Sequence, residues 1–254
     1  MGRIVAVANQ KGGVGKTTTA VNLGACLAEL GQRVLIVDLD PQGHSTSGLG
    51  LDKDEVETTI YDVLIEDVPV DRALLPTAVE GLFLVPATVD LAGAEVELVS
   101  ALARETKLRR ALREQADAFN LILIDCPPSL GLLTINALTA ADSVLIPIQC
   151  EYFALEGLTQ LMNSIRLVQQ HLNPDLRLEG VVMTMFDGRT KLSAQVVAEV
   201  RKYFKDKVYK TVIPRNIRLS EAPSHGMPIN TYDPTSKGAE AYAELAREVI
   251  NGAG

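Results

Sequence analysis

The sequence of 254 residues contains no tryptophan, and aromatic residues make up only 4% of it. Hydrophobic residues still account for 47%, so we predict a sizeable core built mainly from aliphatic side chains. No apolar run reaches the roughly 18 residues that a membrane-spanning helix needs. These absences favour a globular protein over a membrane-embedded one.

Cysteine is also scarce. Cys26, Cys126 and Cys150 are odd in number and form no C-x-x-C pair, which indicates neither a disulfide framework nor a zinc site. Residues 1–3 lead directly into the first predicted strand, so we expect no signal peptide. We therefore predict a reduced, cytoplasmic protein.

Basic residues are outnumbered, and the formal net charge is −8. The segment 185–218 is an exception, because it contains nine Lys or Arg residues and three Asp or Glu residues. This uneven distribution predicts a surface that faces a polyanion on an otherwise acidic body.

The segment 4–19, IVAVANQKGGVGKTTT, combines an apolar run, a glycine-rich turn and the start of an amphipathic helix. This order is typical of a phosphate-binding loop, in which glycines let backbone N–H groups surround an anion. In such a loop Lys16 reaches the β- and γ-phosphates and the Thr17 hydroxyl holds Mg²⁺. The residues predicted to contact the nucleotide here are Lys11, Gly12, Gly13, Val14, Gly15, Lys16, Thr17 and Thr18.

The loop departs from the general pattern G-x-x-x-x-G-K-[ST], because Gln10 replaces the first glycine and a second lysine, Lys11, lies at the loop mouth. The sequence KGGVGKTT resembles the deviant Walker A motif of the ParA/MinD group of P-loop ATPases. The alternative interpretation is a lysine- and glycine-rich loop without a ligand, which the strand–loop–helix order disfavours.

Three aspartates follow two apolar strands. Asp38 and Asp40 come after residues 34–37, and Asp125 comes after residues 121–124. Parallel strands bring their carboxyl ends to one sheet edge, where open α/β folds bind ligands. The resemblance implies that Asp40 positions the attacking water, that Asp125 belongs to the Mg²⁺ site and that Asp38 lies near it. For Asp38 and Asp40 the alternative is that they only cap the loop after the strand.

Strand and helix patterns alternate along the whole chain. They predict an α/β fold with a doubly wound, mostly parallel sheet flanked by helices, in a single P-loop ATPase domain over 1–254. Small polar residues over 43–50 predict a mobile loop near the γ-phosphate, and residues 91–116 and 153–172 are each predicted to be a long helical stretch.

The segment 213–223, IPRNIRLSEAP, narrows the resemblance to the ParA/Soj branch, the chromosome- and plasmid-partition ATPases. The resemblance covers residues 4–250 and implies an adenine-binding wall around Pro214 and Asn216, to which we add Met185. It also implies that Lys11 crosses a two-fold interface to the partner's ATP. Lys11, Lys16 and Asp40 are thus the predicted catalytic residues of an ATP-dependent homodimer.

Arg189 and Arg218 match positions of DNA-contacting arginines in the branch. Charge alone adds Lys191, Arg201, Lys202 and Lys205. Because the segment contains no helix-turn-helix pattern, we expect binding to double-stranded DNA without sequence preference and a nucleoid-associated protein. The alternative is that these are only solubilising charges. The resemblance further implies that a ParB/Spo0J-like centromere-binding protein stimulates slow ATP hydrolysis.

Three other functions share some of these sequence features. A MinD-like membrane-associated ATPase would need a basic amphipathic C-terminal helix, whereas residues 243–254 contain a single arginine and no bulky aromatic residue. An iron–sulfur reductase like the nitrogenase iron protein would need exposed loop cysteines, but Cys126 adjoins Asp125 and Cys150 lies at a strand end. The intact phosphate loop and carboxylates argue against a degenerate binding scaffold.

Overall fold

The computed structural model describes residues 2–152 and 158–251. Its strands are β1 (Arg3–Val7), β2 (Val34–Asp38), β3 (Leu75–Pro76), β4 (Leu82–Val85), β5 (Leu121–Asp125), β6 (Ser143–Gln149), β7 (Arg177–Phe186) and β8 (Val208–Pro214). They form one sheet in the order β3-β4-β2-β5-β1-β6-β7-β8. Only the β3–β4 pair among these strands is antiparallel. The predicted mostly parallel sheet is confirmed.

Helices connect the strands. They are α1 (Lys16–Glu29), α2 (His44–Gly48), α3 (Ile60–Ile65), α4 (Val70–Ala73), α5 (Leu91–Glu97), α6 (Lys107–Arg113), α7 (Leu132–Ala140), α8 (Leu158–His171), α9 (Lys191–Phe204), α10 (Ile217–Glu221), α11 (Ile229–Tyr232) and α12 (Lys237–Asn251). No helix in the described ranges is long and apolar enough to cross a membrane. The first five residues of the helix predicted over 153–172 lie outside the described residues.

The core lies on both faces of the sheet. Along β1, Ile4 and Ala6 belong to one buried cluster and Val5 and Val7 to the other, as the alternation of side chains in a strand requires. Helices α1 and α12 cover the second face, and α7, α8 and α9 cover the first. Most members of both clusters are aliphatic, as the scarcity of aromatic residues predicts. Because helices cover both faces of the sheet, its carboxyl edge is the part that can bind a ligand.

The segment 43–50 contains helix α2 instead of the predicted mobile loop. Gly43 has a left-handed φ of 60°, and a Cβ there would lie 2.6 Å from the Ala87 carbonyl oxygen. The amide and the hydroxyl of Thr46 each donate to Asp38 Oδ2 at 2.8 Å. The predicted loop is wrong for residues 44–48, because the hydrogen bonds of Thr46 to the buried Asp38 carboxylate hold this segment as a helix.

The long helix predicted over 91–116 is also wrong. Residues 98–106 separate α5 from α6 and contain two 3₁₀ turns. Ala103 adopts a left-handed φ of 51°, which interrupts an α-helix. Asn136 Nδ2 donates to the Arg104 carbonyl at 2.8 Å, so a tertiary hydrogen bond holds the backbone out of the helical path. Local helix propensity is overridden by this contact.

Candidate functional site

The phosphate-binding loop lies between β1 and α1 at the carboxyl edge of the sheet. Gly13 and Gly15 have left-handed φ angles of 73° and 90°, a conformation that residues with a Cβ rarely adopt. Thr184 Oγ1 donates to the Val14 carbonyl at 2.8 Å and ties the loop to β7. Among the described residues no side chain caps α1, so the first amides of this helix remain available to an anion.

Lys16 opens α1 and is only 6% exposed. Its Nζ donates to the Lys11 carbonyl at 3.2 Å, across the loop. Burial lowers the pKa of Lys16, and the nearby charges of Asp125 and Asp40 oppose that shift. An anion in the loop would also oppose it, because a negative charge nearby favours the charged amine. The buried Lys16 amine therefore lies where it would interact strongly with a phosphate bound in the loop.

Asp38 and Asp125 occupy paired positions at the ends of β2 and β5, and both are fully buried. Burial raises the pKa of each carboxyl group. The charge of Asp125 raises the pKa of Asp38 further, whereas hydrogen bonds from Thr17 and Ser45 lower the pKa of Asp125. The charge of Lys16 also lowers the pKa of Asp125, but burial outweighs it, and a bound cation would further favour the charged carboxylates.

The Asp125 carboxylate fits a magnesium site. Its Oδ1 is buried and has no hydrogen-bond partner among the described residues, and the Thr17 hydroxyl interacts with the same carboxyl group. The described residues contain no group of three or more His, Cys, Asp or Glu that could surround a metal ion. Mg²⁺ suits such a sparse site, because it retains water and uses one or two carboxylates together with substrate phosphates.

Asp38 differs from Asp125 because both of its oxygens are engaged. Thr46 donates to Oδ2, and the Asp40 amide donates to Oδ1 at 3.3 Å. This geometry is that of a residue that anchors the loop after β2. A place for Asp38 in the metal site stays a prediction.

Asp40 lies two residues beyond Asp38 and is 8% exposed. Its Oδ1 accepts a hydrogen bond from the Gln42 amide at 3.0 Å, and the Gln42 carbonyl accepts one from Lys53 Nζ at 2.8 Å. One carboxylate oxygen of Asp40 therefore caps its own turn. The role of Asp40 in positioning water stays a prediction.

Lys11 has a different environment from Lys16. It forms an ion pair with Glu151, and the two side chains are 37% and 36% exposed. The Lys11 amide donates to Asn9 Oδ1 at 3.1 Å, and Asn9 Nδ2 donates to the Pro147 carbonyl at 2.7 Å. The second loop lysine is thus held at the surface near the end of β6.

A cavity of about 390 Å³ lies between the phosphate loop and the segment 213–227. Met185, Pro214 and Asn216 line it together with the first turn of α1. Met185 has a left-handed φ of 52° and lies within a register shift between β7 and β8, from Met183 to Phe186; such irregularities are common next to functional sites. Asn216 Oδ1 caps α10 by accepting from the Arg218 amide at 2.8 Å, which leaves the Asn216 amide group for another partner.

Sequence reasoning missed several residues of this cavity. They are Val21, Asn22, His44, Ser47, Gly48, Thr184, Ile213, Arg215, Leu219, Ser220, Pro223, Met227 and Tyr242. Tyr242 comes from α12, and its hydroxyl lies 3.2 Å from Thr19 Oγ1. No local pattern marks Tyr242, because the apolar period of α12 explains it as a core residue. Thr184 could have been found, since it lies near the carboxyl end of a strand, next to Met185.

The six predicted DNA-binding residues are all exposed, but they form two groups. The nucleotide-side group lies near the cavity, where the Arg215 amide donates to the Phe186 carbonyl at 2.9 Å and joins the two segments that carry it. The far-side group lies at the other end of α9, a helix of 14 residues, hence about 20 Å away. The nucleotide-side group is Arg189, Lys191 and Arg218, and the far-side group is Arg201, Lys202 and Lys205.

Local carboxylates hold both arginines of the nucleotide-side group. Asp187 accepts from Arg189 Nε at 2.9 Å and Nη2 at 2.7 Å. Arg218 Nη1 pairs with Glu221 at 2.9 Å and its Nε with Asp233 at 3.3 Å. The Arg189 side chain is nevertheless 87% exposed. A DNA phosphate would therefore compete with these carboxylates.

The chain is similar to known proteins over most of its length. A family model described as an AAA domain matches residues 2–178. The sporulation initiation inhibitor protein Soj of Bacillus subtilis is 65% identical over 249 residues, which cover 98% of each protein. The chromosome-partitioning ATPase Soj of Treponema pallidum is 53% identical over 250 residues, again 98% of each protein.

A solved structure is similar over nearly the whole fold. It is that of a Mycobacterium smegmatis protein named cobyrinic acid a,c-diamide synthase, with bound ADP and magnesium. The TM-score is 0.87 and the identity 45%, and the match covers 99% of this chain and 95% of the other. The phosphate loop of the present chain thus lies in a fold that binds a magnesium nucleotide in a similar protein.

Proposed function

Because the chain belongs to the ParA/Soj family of P-loop ATPases, we propose that it is a DNA-partition ATPase whose ATP-bound dimer binds double-stranded DNA. Its cofactors are ATP and Mg²⁺, since the similar Mycobacterium smegmatis protein binds ADP or an ATP analogue together with magnesium, and relatives of the family are chromosome-partitioning proteins. The observation that carries the proposal is Lys11, a second loop lysine that is held at the surface by Glu151.

In the proposed nucleotide complex the phosphates of ATP lie in the glycine-rich loop. The backbone amides of residues 12–18 and the buried amine of Lys16 bind them, and the cavity beside Met185, Pro214 and Asn216 takes the adenine. Thr17 and Asp125 hold the magnesium ion, which supplies positive charge that neutralises the phosphates.

Asp40 is proposed to orient the water that attacks the γ-phosphate. The water oxygen forms a bond to the γ-phosphorus while the bond from the γ-phosphorus to the bridging oxygen breaks. The products are ADP and inorganic phosphate, and the proton lost by the water passes to solvent. The hydrogen bond from the Gln42 amide to Asp40 Oδ1 supports this role, because it fixes the carboxylate while Oδ2 can accept from water. Geometry of this kind lowers the entropic part of the barrier.

Lys11 is proposed to act on the partner's nucleotide. It leaves Glu151, crosses a two-fold interface and binds the phosphates of the ATP in the partner subunit, with the logic of an arginine finger. Because ADP lacks the γ-phosphate, ADP does not hold the same dimer. Hydrolysis therefore sets the lifetime of the dimer.

The dimer is proposed to bind DNA through the exposed basic residues. Each subunit contributes few phosphate contacts, and log affinity grows with the number of contacts. Pairing two subunits therefore converts weak binding into strong, salt-dependent binding, and nucleoid association follows. A ParB/Spo0J-like centromere-binding protein would stimulate hydrolysis and release the dimer from DNA.

Sedimentation and DNA association of the purified protein test the proposal. Both are measured with ADP and with ATP, at low and at moderate salt, and with anionic liposomes as the alternative partner. We expect dimers only with ATP, and binding of these dimers to any duplex that weakens as salt rises. Dimers that ignore DNA and bind liposomes would instead support the MinD-like function, and the absence of ATP-dependent dimers would contradict the role of Lys11.

A further inference from the structure

Ser45 has no part in the function proposed above, yet its side chain touches the proposed metal carboxylate. It lies in α2 and is fully buried. Its Oγ donates to Asp125 Oδ2 at 2.8 Å. A hydroxyl bonded to a carboxylate is among the stronger neutral–ion hydrogen bonds of proteins.

The two oxygens of the Asp125 carboxylate have different hydrogen bonding. Ser45 occupies Oδ2, whereas Oδ1 is buried without a hydrogen-bond partner among the described residues. A carboxylate held through one oxygen is restricted in its rotation, and its other oxygen keeps its lone pairs for another partner. Such an oxygen is what a magnesium ion or its bound water needs.

Helix α2 is tied to the sheet by contacts that do not involve the Ser45 hydroxyl. The adjacent Thr46 makes these contacts, because its amide and hydroxyl bind Asp38 and its Oγ1 accepts from the Ala87 amide at 3.0 Å. The Ser45 hydroxyl is therefore left to act on Asp125 alone. Ser45 thus forms a hydrogen bond to Asp125, whereas the neighbouring Thr46 binds the other buried carboxylate, Asp38.

We propose that Ser45 is a positioning residue of the magnesium site, which orients the Asp125 carboxylate so that Oδ1 faces the metal. The inference rests on the proposed function, since it takes Asp125 as the carboxylate of the Mg²⁺ site. It adds that the segment 44–48, next to the predicted γ-phosphate position, sets the affinity for the ion through one hydroxyl. Partners of metal ligands commonly change metal affinity about 10–100-fold when removed.

The test is a Mg²⁺ titration of nucleotide binding by Ser45→Ala in the full chain. Binding of a fluorescent ADP is measured from EDTA to millimolar Mg²⁺, and no hydrolysis is needed. We expect the Mg²⁺ concentration for half-maximal effect to rise about tenfold, while ADP affinity in EDTA changes less than about twofold. An unchanged Mg²⁺ requirement would overturn the inference. An equal loss of affinity in EDTA would also overturn it, because Ser45 would then shape the loop.

Ser143→Ala is the matched control. Ser143 is also a buried serine, and its Oγ donates to Glu179 Oε2 at 2.7 Å, but it lies at the opposite end of its strand from the site. We expect it to keep the wild-type Mg²⁺ requirement. If Ser45→Ala does not fold, Ser45→Cys keeps the shape with a weaker donor and is expected to raise the requirement several-fold. Wild-type protein without any Mg²⁺-dependent nucleotide binding would instead contradict the proposed function.

Discussion

The buried carboxyl edge of the sheet and the exposed basic surface carry the two halves of the proposed function, and they are built differently. Asp125 is fully buried at a strand end, and its position follows from the register of β5 with its neighbours. Arg189 is 87% exposed and bonded to a carboxylate two residues away. The fold fixes the first region, whereas local pairs and solvent shape the second.

The two regions also differ in their response to salt. Buried charges interact through a medium of low polarisability and are screened little, whereas exposed charges are screened within about 8 Å at physiological salt. Nucleotide binding should therefore be lost by removing single groups, and DNA binding by removing several charges or by adding salt.

Lys16→Ala should weaken ATP binding about 100-fold or more, because it removes the buried cation that faces the phosphates. Calorimetric titration with ATP measures the effect. Lys11→Ala is the control, because Lys11 is proposed to bind only the partner's ATP. At protein concentrations at which the wild-type protein is monomeric, this variant should keep ATP affinity within a few-fold. Similar losses of ATP affinity in both variants would contradict the different roles proposed for the two lysines.

Asp40→Ala should lower the rate of ATP hydrolysis about 100-fold, as the loss of a residue that orients water commonly does. ATP-dependent dimers should persist, because Asp40 is not proposed to bind phosphate. Phosphate release and sedimentation give the two readouts. A variant that hydrolyses ATP at the wild-type rate would restrict Asp40 to its bond with the Gln42 amide.

The double substitution Arg189→Glu with Arg218→Glu should weaken DNA binding about 100-fold and make it less salt-dependent. The matched control is Arg201→Glu with Lys202→Glu, which changes charge equally at the far end of α9. We expect less than about a tenfold loss in the control. ATP-dependent dimers should survive in both proteins, and equal losses of DNA binding would show that the two groups act as one surface.

Asp187→Asn should give the smallest effect. It removes the negative charge that holds Arg189. Hydrogen bonds from Arg189 lower the pKa of Asp187 to about 2, so the wild-type carboxylate is charged at neutral pH. We expect DNA affinity to rise about two- to fivefold at low salt, since the phosphate then meets less competition. Fluorescence anisotropy of a labelled duplex would detect the change, and a weaker complex would mean that Asp187 orients Arg189 for DNA.

The sequence was most informative where chemistry needs buried residues at strand ends. KGGVGKTT predicted the family, which is confirmed, and the apolar runs before Asp38 and Asp125 predicted the sheet. The sequence pattern did not reveal helix α2, because the hydrogen bonds between Thr46 and Asp38 stabilise this helix and local helix propensity does not. Nor could it place Tyr242, which reaches the cavity only because α12 packs on α1.

For the basic segment 185–218 the sequence was less informative. Counting charges over 185–218 predicted a single strip, but α9 separates Arg189 from Arg201 by nearly its whole length. A charge count carries no information about which end of a helix meets a ligand. That assignment requires the fold, and the contribution of each group to DNA binding stays a prediction.

The most direct test of the central claim is the DNA affinity of Lys11→Ala in saturating ATP. The variant should bind ATP, remain monomeric and bind DNA no better than the wild-type protein with ADP. This result would mean that dimerisation through Lys11, and not occupancy of the nucleotide site, switches on DNA binding. DNA affinity equal to that of the ATP-bound wild-type protein would contradict it.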